Sequence, residues 1–356
     1  MGARVTLRNI AKVAGVHFTT VGLALRNDRR IRPATAAKVQ AVARALGYTR
    51  DAMLSALTTY RHSNLHHFSG VIAHISTYDT AELGLARNIT AQKLTEAATA
   101  CAQSQGFGFE SFQINAPGMT GMQLSRILRA RGIQGIVLSP RMPVPGPMPA
   151  LEWEYFSTVA VGYSITNLRI HRACVHHAYN IRLCLHTLRA RGYRRIGLIM
   201  QYDVFERNFG IGPGSFYAEQ CLLPESDRVT PLIVREITKP GLSKWLCEQR
   251  IDCVILTDHP LEIQAWIKEL KYEVPEEMGI CLACRYGMTD GIAGIDEQME
   301  LLGEAAVNVL VSMLQHNEKG LPVSPHYTLI EGLWVERPTV RPLPAGCFPT
   351  ASQAVV

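Results

Sequence analysis

Apolar positions in the first sixty residues recur at helical spacing. Between Val5 and Val16, the residues Leu7, Ile10, Ala11 and Ala14 share one face, Thr6 stands where an N-cap is needed, and Gly15 stops the pattern. His17 to Leu25 predicts a second short helix, with Val21, Ala24 and Leu25 inward and Phe18, Thr19, Gly22 and Leu23 outward. A polar loop, Asn27 to Arg30, leads to a third helix from Pro33 to Leu46, carried by Val39, Val42, Ala43 and Leu46 and stopped at Gly47. Two short helices joined by a Gly-containing turn make a helix-turn-helix, whose second helix offers its first residues to a DNA major groove. Asp51 to Thr59 predicts one more helix, too short to be stable by itself.

From Ser69 the period changes. Short apolar runs predict strands at Gly70–Ser76, Phe107–Ile114, Gly135–Ser139, Thr158–Val161, Ile196–Met200, Leu232–Val234, Cys253–Thr257, Gly279–Cys284 and Ile292–Ile295. Helical patterns lie between them, among them Ala91–Gln105, Asn180–Arg191, Leu261–Leu270 and Glu297–Gln315. Such alternation predicts parallel sheets covered by helices on both faces, and a stretch this long divides naturally into two lobes.

Charge separates the two parts as sharply as periodicity does. Met1 to Arg61 holds eleven Lys or Arg against Asp28 and Asp51, so the rest of the chain carries about −3 of the net +6. A small basic head on a nearly neutral body is the footprint of a protein that brings its head to a polyanion.

Val5-Thr6-Leu7, Ile10-Ala11, Ala14-Gly15-Val16, Thr20-Val21, Lys38-Val39 and Leu46-Gly47-Tyr48 together resemble the lactose-repressor and galactose-repressor (LacI/GalR) family of bacterial transcription regulators. The resemblance extends, more weakly, over roughly residues 4 to 338. It implies an N-terminal all-α, lambda-repressor-like helix-turn-helix head on an α/β two-lobed, periplasmic-binding-protein-like core with parallel sheets. The implied division is a head at 1–60 with a hinge helix at 51–59, a linker at 61–68, a core at 69–337 and a Pro-rich, disordered tail at 338–356. Within the core, one lobe would hold 69–162 and 292–324, and the other 163–291 and 325–337, the latter including a final strand from Tyr327 to Val335.

Carried over residue by residue, the resemblance assigns Thr6, Leu7, His17, Phe18, Thr19, Thr20, Leu23, Arg26, Asn27 and Arg30 to DNA. Thr20, Arg26 and the first N–H groups of the second helix suit phosphates, while Phe18 and Thr19 stand where relatives reach base edges. Leu57 matches the wedge that enters the minor groove from a paired hinge helix. Three positions depart from the pattern: Leu23 replaces an Arg, Gly22 a phosphate-contacting Ser, and His17 a capping Ser. In the cleft the resemblance implies Asp258, Arg207, Tyr78 and Asp79 as effector contacts, a set suited to a polyhydroxylated or anionic metabolite. Here too there are departures, since Cys284-Arg285-Tyr286 replaces a Gly-Tyr-Asp run and Gly210 to Gly214 interrupts a helix expected after Arg207.

The implied function is a sequence-specific transcriptional regulator, a repressor acting as a homodimer on a near-palindromic operator and controlled by a small metabolite, a sugar or related polyol, between the lobes. Two alternatives stay open: a regulator that binds DNA without a ligand, and an enzyme fused to a helix-turn-helix. The second lacks support in sequence, for there is no phosphate loop, G-x-S-x-G or H-E-x-x-H, so no catalytic residue and no cofactor is expected. His62, His66 and His67 lack Cys or carboxylate partners at ligand spacing, and Cys281 and Cys284 are three apart in a strand and face opposite ways, so no metal is expected either. Nine cysteines mostly within apolar runs, with no secretory signal or membrane-length apolar run, point to a bacterial cytoplasmic protein without a membrane partner. Pro338, Pro342, Pro344 and Pro349 fall in a tail without heptads, which favours a dimer over a coiled-coil tetramer.

Overall fold

The computed structural model describes residues 6–25, 30–46, 48, 70–76, 85–114, 116, 118–140, 145–285, 289 and 291–344. Arg26, Asn27, the expected hinge helix with Leu57, the linker histidines, Tyr78, Asp79, Tyr286 and the tail beyond 344 lie outside the described residues.

Three helices make the head: α1 (Leu7–Ala14), α2 (Phe18–Ala24) and α3 (Pro33–Ala45). Thr6 and Asn9 form a capping box at the start of α1, and Gly15 ends it in the left-handed region at φ 67°. The head core is Ile10, Ala11, Ala14, Val21, Ala24, Val39 and Ala43. Four of those seven are alanines, which let the helices approach closely but bury little area, so this core contributes only a few kcal/mol.

The rest is two six-stranded sheets of matching strand order. The elements of the first are β1 (Gly70–Ser76), α4 (Leu85–Ser104), β2 (Phe107–Gln113), α5 (Gly121–Ala130), β3 (Gly135–Leu138), β4 (Ser157–Val161) and β5 (His171–Val175). The second contains α6 (His177–Ala190), β6 (Ile196–Gln201), α7 (Tyr202–Arg207), α8 (Ile211–Cys221), β7 (Leu232–Val234), α9 (Lys239–Gln249), β8 (Cys253–Leu256), α10 (Pro260–Glu269), β9 (Gly279–Arg285) and β10 (Ala293–Asp296). The chain then returns to the first lobe as α11 (Met299–His316) and β11 (Tyr327–Ile330), and crosses back as β12 (Leu333–Val335). The orders are β2-β1-β3-β4-β5-β11 and β7-β6-β8-β9-β10-β12. Every pairing is parallel except β10 with β12. Separate apolar cores lie on the two faces of the first sheet, and a larger one surrounds the second.

These pairings move the expected lobe boundaries. The first lobe runs to Val175 rather than residue 162, because β5 pairs with β4. No apolar run announces β5, since its buried Arg172 and His171 are held by hydrogen bonds instead: Arg172 donates to the carbonyls of Gly162, Ile165 and Leu168, and His171 Nδ1 accepts from His326 N–H. β10 belongs to the second sheet, so the second crossing follows Asp296 rather than residue 291. The expected strand from Tyr327 to Val335 is two strands in different sheets, broken at Gly332. Gly332 N–H donates to Asn180 Oδ1 at 3.0 Å, and a Cβ there would stand 2.1 Å from Ile295 Cγ2.

Two further expectations are corrected. Gly210 to Gly214 does not interrupt a helix: it begins α8, with Gly210 as N-cap at φ 65° and Pro213 in the first turn, where no N–H is required of it. The break falls instead at Asn208–Gly210, with Phe209 at φ 52°. Nor is the start of the tail free. Thr339 Oγ1 donates to Ile280 O and accepts from Ala293 N–H, Val340 is buried in the second core, and Arg341 lies over the Tyr193 ring at 4.2 Å.

Gly332→Ala is expected to destabilise the core by about 1–3 kcal/mol in urea unfolding. Gly214→Ala, whose Cβ would meet nothing within 4 Å, serves as the unstrained control.

Candidate functional site

Two places in the chain collect the residues that sequence singled out. In the head, α2 carries Phe18, 43% exposed, and an exposed Thr19, whereas Thr20, Gly22 and Leu23 are half-buried. His17 occupies the N-cap of α2 but gives the helix no side-chain hydrogen bond. Its Nδ1 sits 2.8 Å from Thr19 Oγ1 and its ring 4.4 Å from that of Phe18, with the Arg8 guanidinium 6.0 Å from the same ring. The residue that departs from the capping Ser therefore contacts both Phe18 and Thr19. Thr6 and Arg30 are exposed and Leu7 is half-buried.

The second place is a cavity of about 240 Å³ at the carboxyl ends of the strands of both sheets. From the first lobe come Ser139 and Pro140 after β3, Gly162 to Ser164 after β4, and Thr90, Ala91 and Leu94 of α4. The second lobe adds Arg207 of α7, Asn208, Cys284 of β9, and Thr257 and Asp258 after β8. Residues at two of the crossings, His177, Glu297 and Met299, close it. Asp258 and Arg207, far apart in sequence, thus meet in one space.

Asp258 is 7% exposed, and its Oδ1 accepts from His259 N–H at 3.2 Å. His259, not Asp258, is the N-cap of α10. Arg207 Nη1 lies 3.8 Å from Asp203 Oδ2, one turn earlier, and its side chain is mostly buried. Tyr163 closes the aromatic side: its ring centroid is 5.9 Å from His177 and 5.9 Å from Phe209 of the opposite lobe. Its hydroxyl donates to Val175 O at 3.5 Å, and burial raises its pKa.

Burial decides the charge of the crossing residues. It pushes Glu297 up to about 8, with Asp296 adding to the effect, and pushes His177 down to about 4, with His176 acting the same way. Both groups are therefore largely uncharged at pH 7, and the 3.7 Å between His177 Nδ1 and Glu297 Oε1 is a contact rather than an ion pair. Cys284 donates to Thr257 O at 3.3 Å, and burial, with Glu297 and Asp258 close by, raises its thiol well above the ordinary range. Cys281 points elsewhere, its Sγ 3.6 Å from that of Cys184. Beneath the cavity, buried His74 holds Ser139 Oγ at 2.6 Å through Nε2 and Ser111 Oγ at 3.2 Å through Nδ1.

Of these, sequence reasoning named only Asp258 and Arg207 as effector contacts among the described residues, with Cys284 noted as a departure from the family pattern. Glu297 and Ser139 directly follow the ends of β10 and β3, and that position at the carboxyl edge of a parallel sheet is the signal that could have found them. His177 was hidden with the polar strand before it.

Residues 6–51 match the profile described as bacterial regulatory proteins, lacI family. The maltose regulon regulatory protein MalI of Vibrio furnissii is 38% identical over 104 residues, which cover 29% of this chain and 74% of that protein. The chain belongs to the LacI/GalR family. Across nearly the whole LacI-family chain, the fold is similar to a CelR transcriptional regulator solved with cellobiose, at TM-score 0.53 and 16% identity over 94% of this chain and 100% of that one. It is similar to a putative LacI-family regulator from Rhizobium etli at TM-score 0.59 and 13% identity, over 76% of this chain and 99% of that one. A lac repressor dimer bound to operator and the anti-inducer ONPF gives 0.51 and 16%, over 96% of this chain and 100% of that one. This LacI-family chain is a DNA-binding regulator, not an enzyme, and no described helix is long and apolar enough to cross a membrane.

Burial also pushes His74 down to about 4, below its ordinary 6.5. Between those values the unfolded chain binds a proton that the folded chain refuses, so stability is lost as pH falls from 6.5 towards 4. Urea midpoints of the wild type are expected to drop across this window, and those of His74→Gln to drop less. An equal drop in both would remove His74 as a contributor.

Proposed function

We propose that this protein is a transcriptional repressor that binds a near-palindromic operator as a homodimer and responds to a small metabolite, a sugar or related polyol, held between its lobes. The observation that carries the ligand reading is the cavity itself: Asp258, Arg207 and a Tyr163 wall converge at the facing carboxyl edges of two parallel sheets. A carboxylate accepts from hydroxyls, a guanidinium donates to them, and an aromatic face covers the apolar side of a ring. The regulators similar to it are named for maltose in one case and solved with cellobiose in another, which supports a carbohydrate class.

On DNA, each head reads one half-site. Phe18 and Thr19 face base edges, Leu23 offers an apolar contact such as a thymine methyl accepts, and Thr6, His17, Thr20, Arg26, Asn27 and Arg30 lie along the phosphates. Leu7 supports the first helix from within, and Leu57 is the minor-groove wedge of the hinge helix. Ligand binding favours one angle between the lobes and thereby changes the spacing of the two heads. A full reversal of occupancy requires the ligand to prefer one state by roughly 5.5 kcal/mol.

Asp258→Ala is expected to abolish the change in operator affinity caused by a metabolite that acts on the wild type, as read by fluorescence anisotropy of an operator selected from genomic DNA. A full response in the variant contradicts the cleft reading. On the head, Arg8→Ala should lower affinity for all sequences and reduce the salt slope by about 1, whereas Phe18→Ala should change which bases are preferred. Selection from random duplexes separates the two outcomes, and an unchanged motif for Phe18→Ala would take that residue off the base edges.

A further inference from the structure

A second, smaller space adjoins the cavity at the crossings. This side pocket of about 30 Å³ has room for one water-sized group, and it shares His177, Asn208, Thr257, Cys284 and Glu297 with the larger cavity. Asn180 of α6 lines the side pocket but not the larger cavity, as do the apolar Ile181, Met200 and Ala283.

Most of these polar groups are already engaged. Thr257 Oγ1 donates to Ile199 O at 3.3 Å, Cys284 Sγ donates to Thr257 O at 3.3 Å, and the Asn208 side chain is hydrogen-bonded to His177. Asn180 and Glu297 remain. Asn180 is 1% exposed, and its Oδ1 accepts from Gly332 N–H at 3.0 Å, which settles which end of the amide is oxygen. Gly332 does not line the side pocket, so the oxygen end is turned away and the donor end is left to it. That donor, Nδ2, has no hydrogen-bond partner among the described residues. Glu297, 8% exposed, has none either, since the 3.7 Å to His177 Nδ1 is too long. Burial keeps it protonated at pH 7, so its carboxyl offers one oxygen that accepts and one O–H that donates.

A hydroxyl answers both groups at once: its oxygen accepts from Asn180 Nδ2 and its O–H donates to Glu297. A methyl would leave the two buried groups unpaired, and a phosphate exceeds the space. A hydroxyl carried on an exocyclic carbon reaches one bond further from a sugar ring than a ring hydroxyl does, and Ile181, Met200 and Ala283 suit the methylene that carries it. Resting on the cleft reading above, we propose that the side pocket is the subsite of one hydroxymethyl group. The effector is a hexose whose ring lies in the larger cavity and whose free C6 hydroxyl sits between Asn180 and Glu297. Sites that hydrogen-bond a substrate hydroxyl reject the analogue without it, because their own buried groups then go unpaired.

The test is isothermal titration calorimetry on the full chain at pH 7, with glucose, galactose and mannose, their 6-deoxy derivatives and their 6-phosphates as probes. At least one parent sugar is expected to bind about tenfold or more tightly than both its 6-deoxy and its 6-phosphate form, a readout that needs no variant. Gly212 of α8 also lines the side pocket, and a Cβ there would stand 3.4 Å from Met200 Cε and 3.7 Å from Ile181 Cγ1, both ordinary contacts. Gly212→Ala therefore adds a methyl to the pocket without touching Asn180 or Glu297, and it is expected to weaken the parent sugar about tenfold or more. Gly214→Ala, in the same helix and meeting nothing within 4 Å, should leave that affinity unchanged. Glu297→Met, similar in length but without the carboxyl, is expected to bring the parent sugar close to its 6-deoxy form. Equal or tighter binding of a 6-deoxy sugar or a 6-phosphate overturns the subsite, as does a parent affinity that Gly212→Ala leaves intact. If in either case Asp258→Ala still abolishes binding, the cleft stands as the ligand site and only the subsite falls; binding that survives Asp258→Ala overturns the cleft reading as well. Binding of none of the nine overturns the hexose assignment.

Discussion

Three short crossings, after Val175, after Asp296 and at Gly332, hold two parallel sheets with their carboxyl edges face to face, and each polar group of the cleft owes its position to that arrangement. A parallel strand must be re-entered from its own starting end, so helices cover the faces and the loops that follow the strands collect along one edge. Bringing two such edges together puts Ser139, Tyr163, His177, Asp258 and Glu297 around one space although they span more than a hundred residues. The Asn180 hydrogen bond to Gly332 ties the first crossing to the third, and Glu297 stands on the second beside His177 on the first.

Each lobe has its own closed apolar core, so the change of angle proposed above would open neither. Tyr163 against Phe209 is an edge-on aromatic pair at 5.9 Å, worth about 0.5–1.5 kcal/mol, which is well below the roughly 5.5 kcal/mol needed to reverse an occupancy. In the proposed switch most of that energy would come from the ligand, and the buried groups at the crossing are where a ligand gains the most by supplying a partner.

Legibility in sequence followed the physics that holds each element. β1 and β7 were placed to the residue because Val71-Ile-Ala-His-Ile75 and Leu232-Ile-Val234 are apolar runs flanked by changes of pattern. β5 was invisible because its burial is supported by hydrogen bonds to Arg172 and His171, which no hydrophobic pattern registers. α9 was not among the helices named from sequence; it begins with Lys239-Pro-Gly241, a poor helix-forming run that is held as a first turn by Thr238 accepting from Gly241 N–H. In the site, Asp258 was named through the family resemblance. Glu297 passed unnoticed because its burial without a hydrogen-bond partner is a property of the folded environment. His17 shows the converse: it read as a lost cap, and in the fold its ring instead contacts Phe18 and Thr19.

Linkage tests the central claim that cleft and head are one device. With an operator selected from genomic DNA and a metabolite found to bind the full chain, the operator dissociation constant is measured at zero and saturating metabolite, and that of the metabolite with and without operator. The account predicts that both change by the same factor, about fivefold or more. Operator affinity that stays constant at saturating metabolite would contradict it, leaving a DNA-binding protein whose cleft has no say in what its heads do.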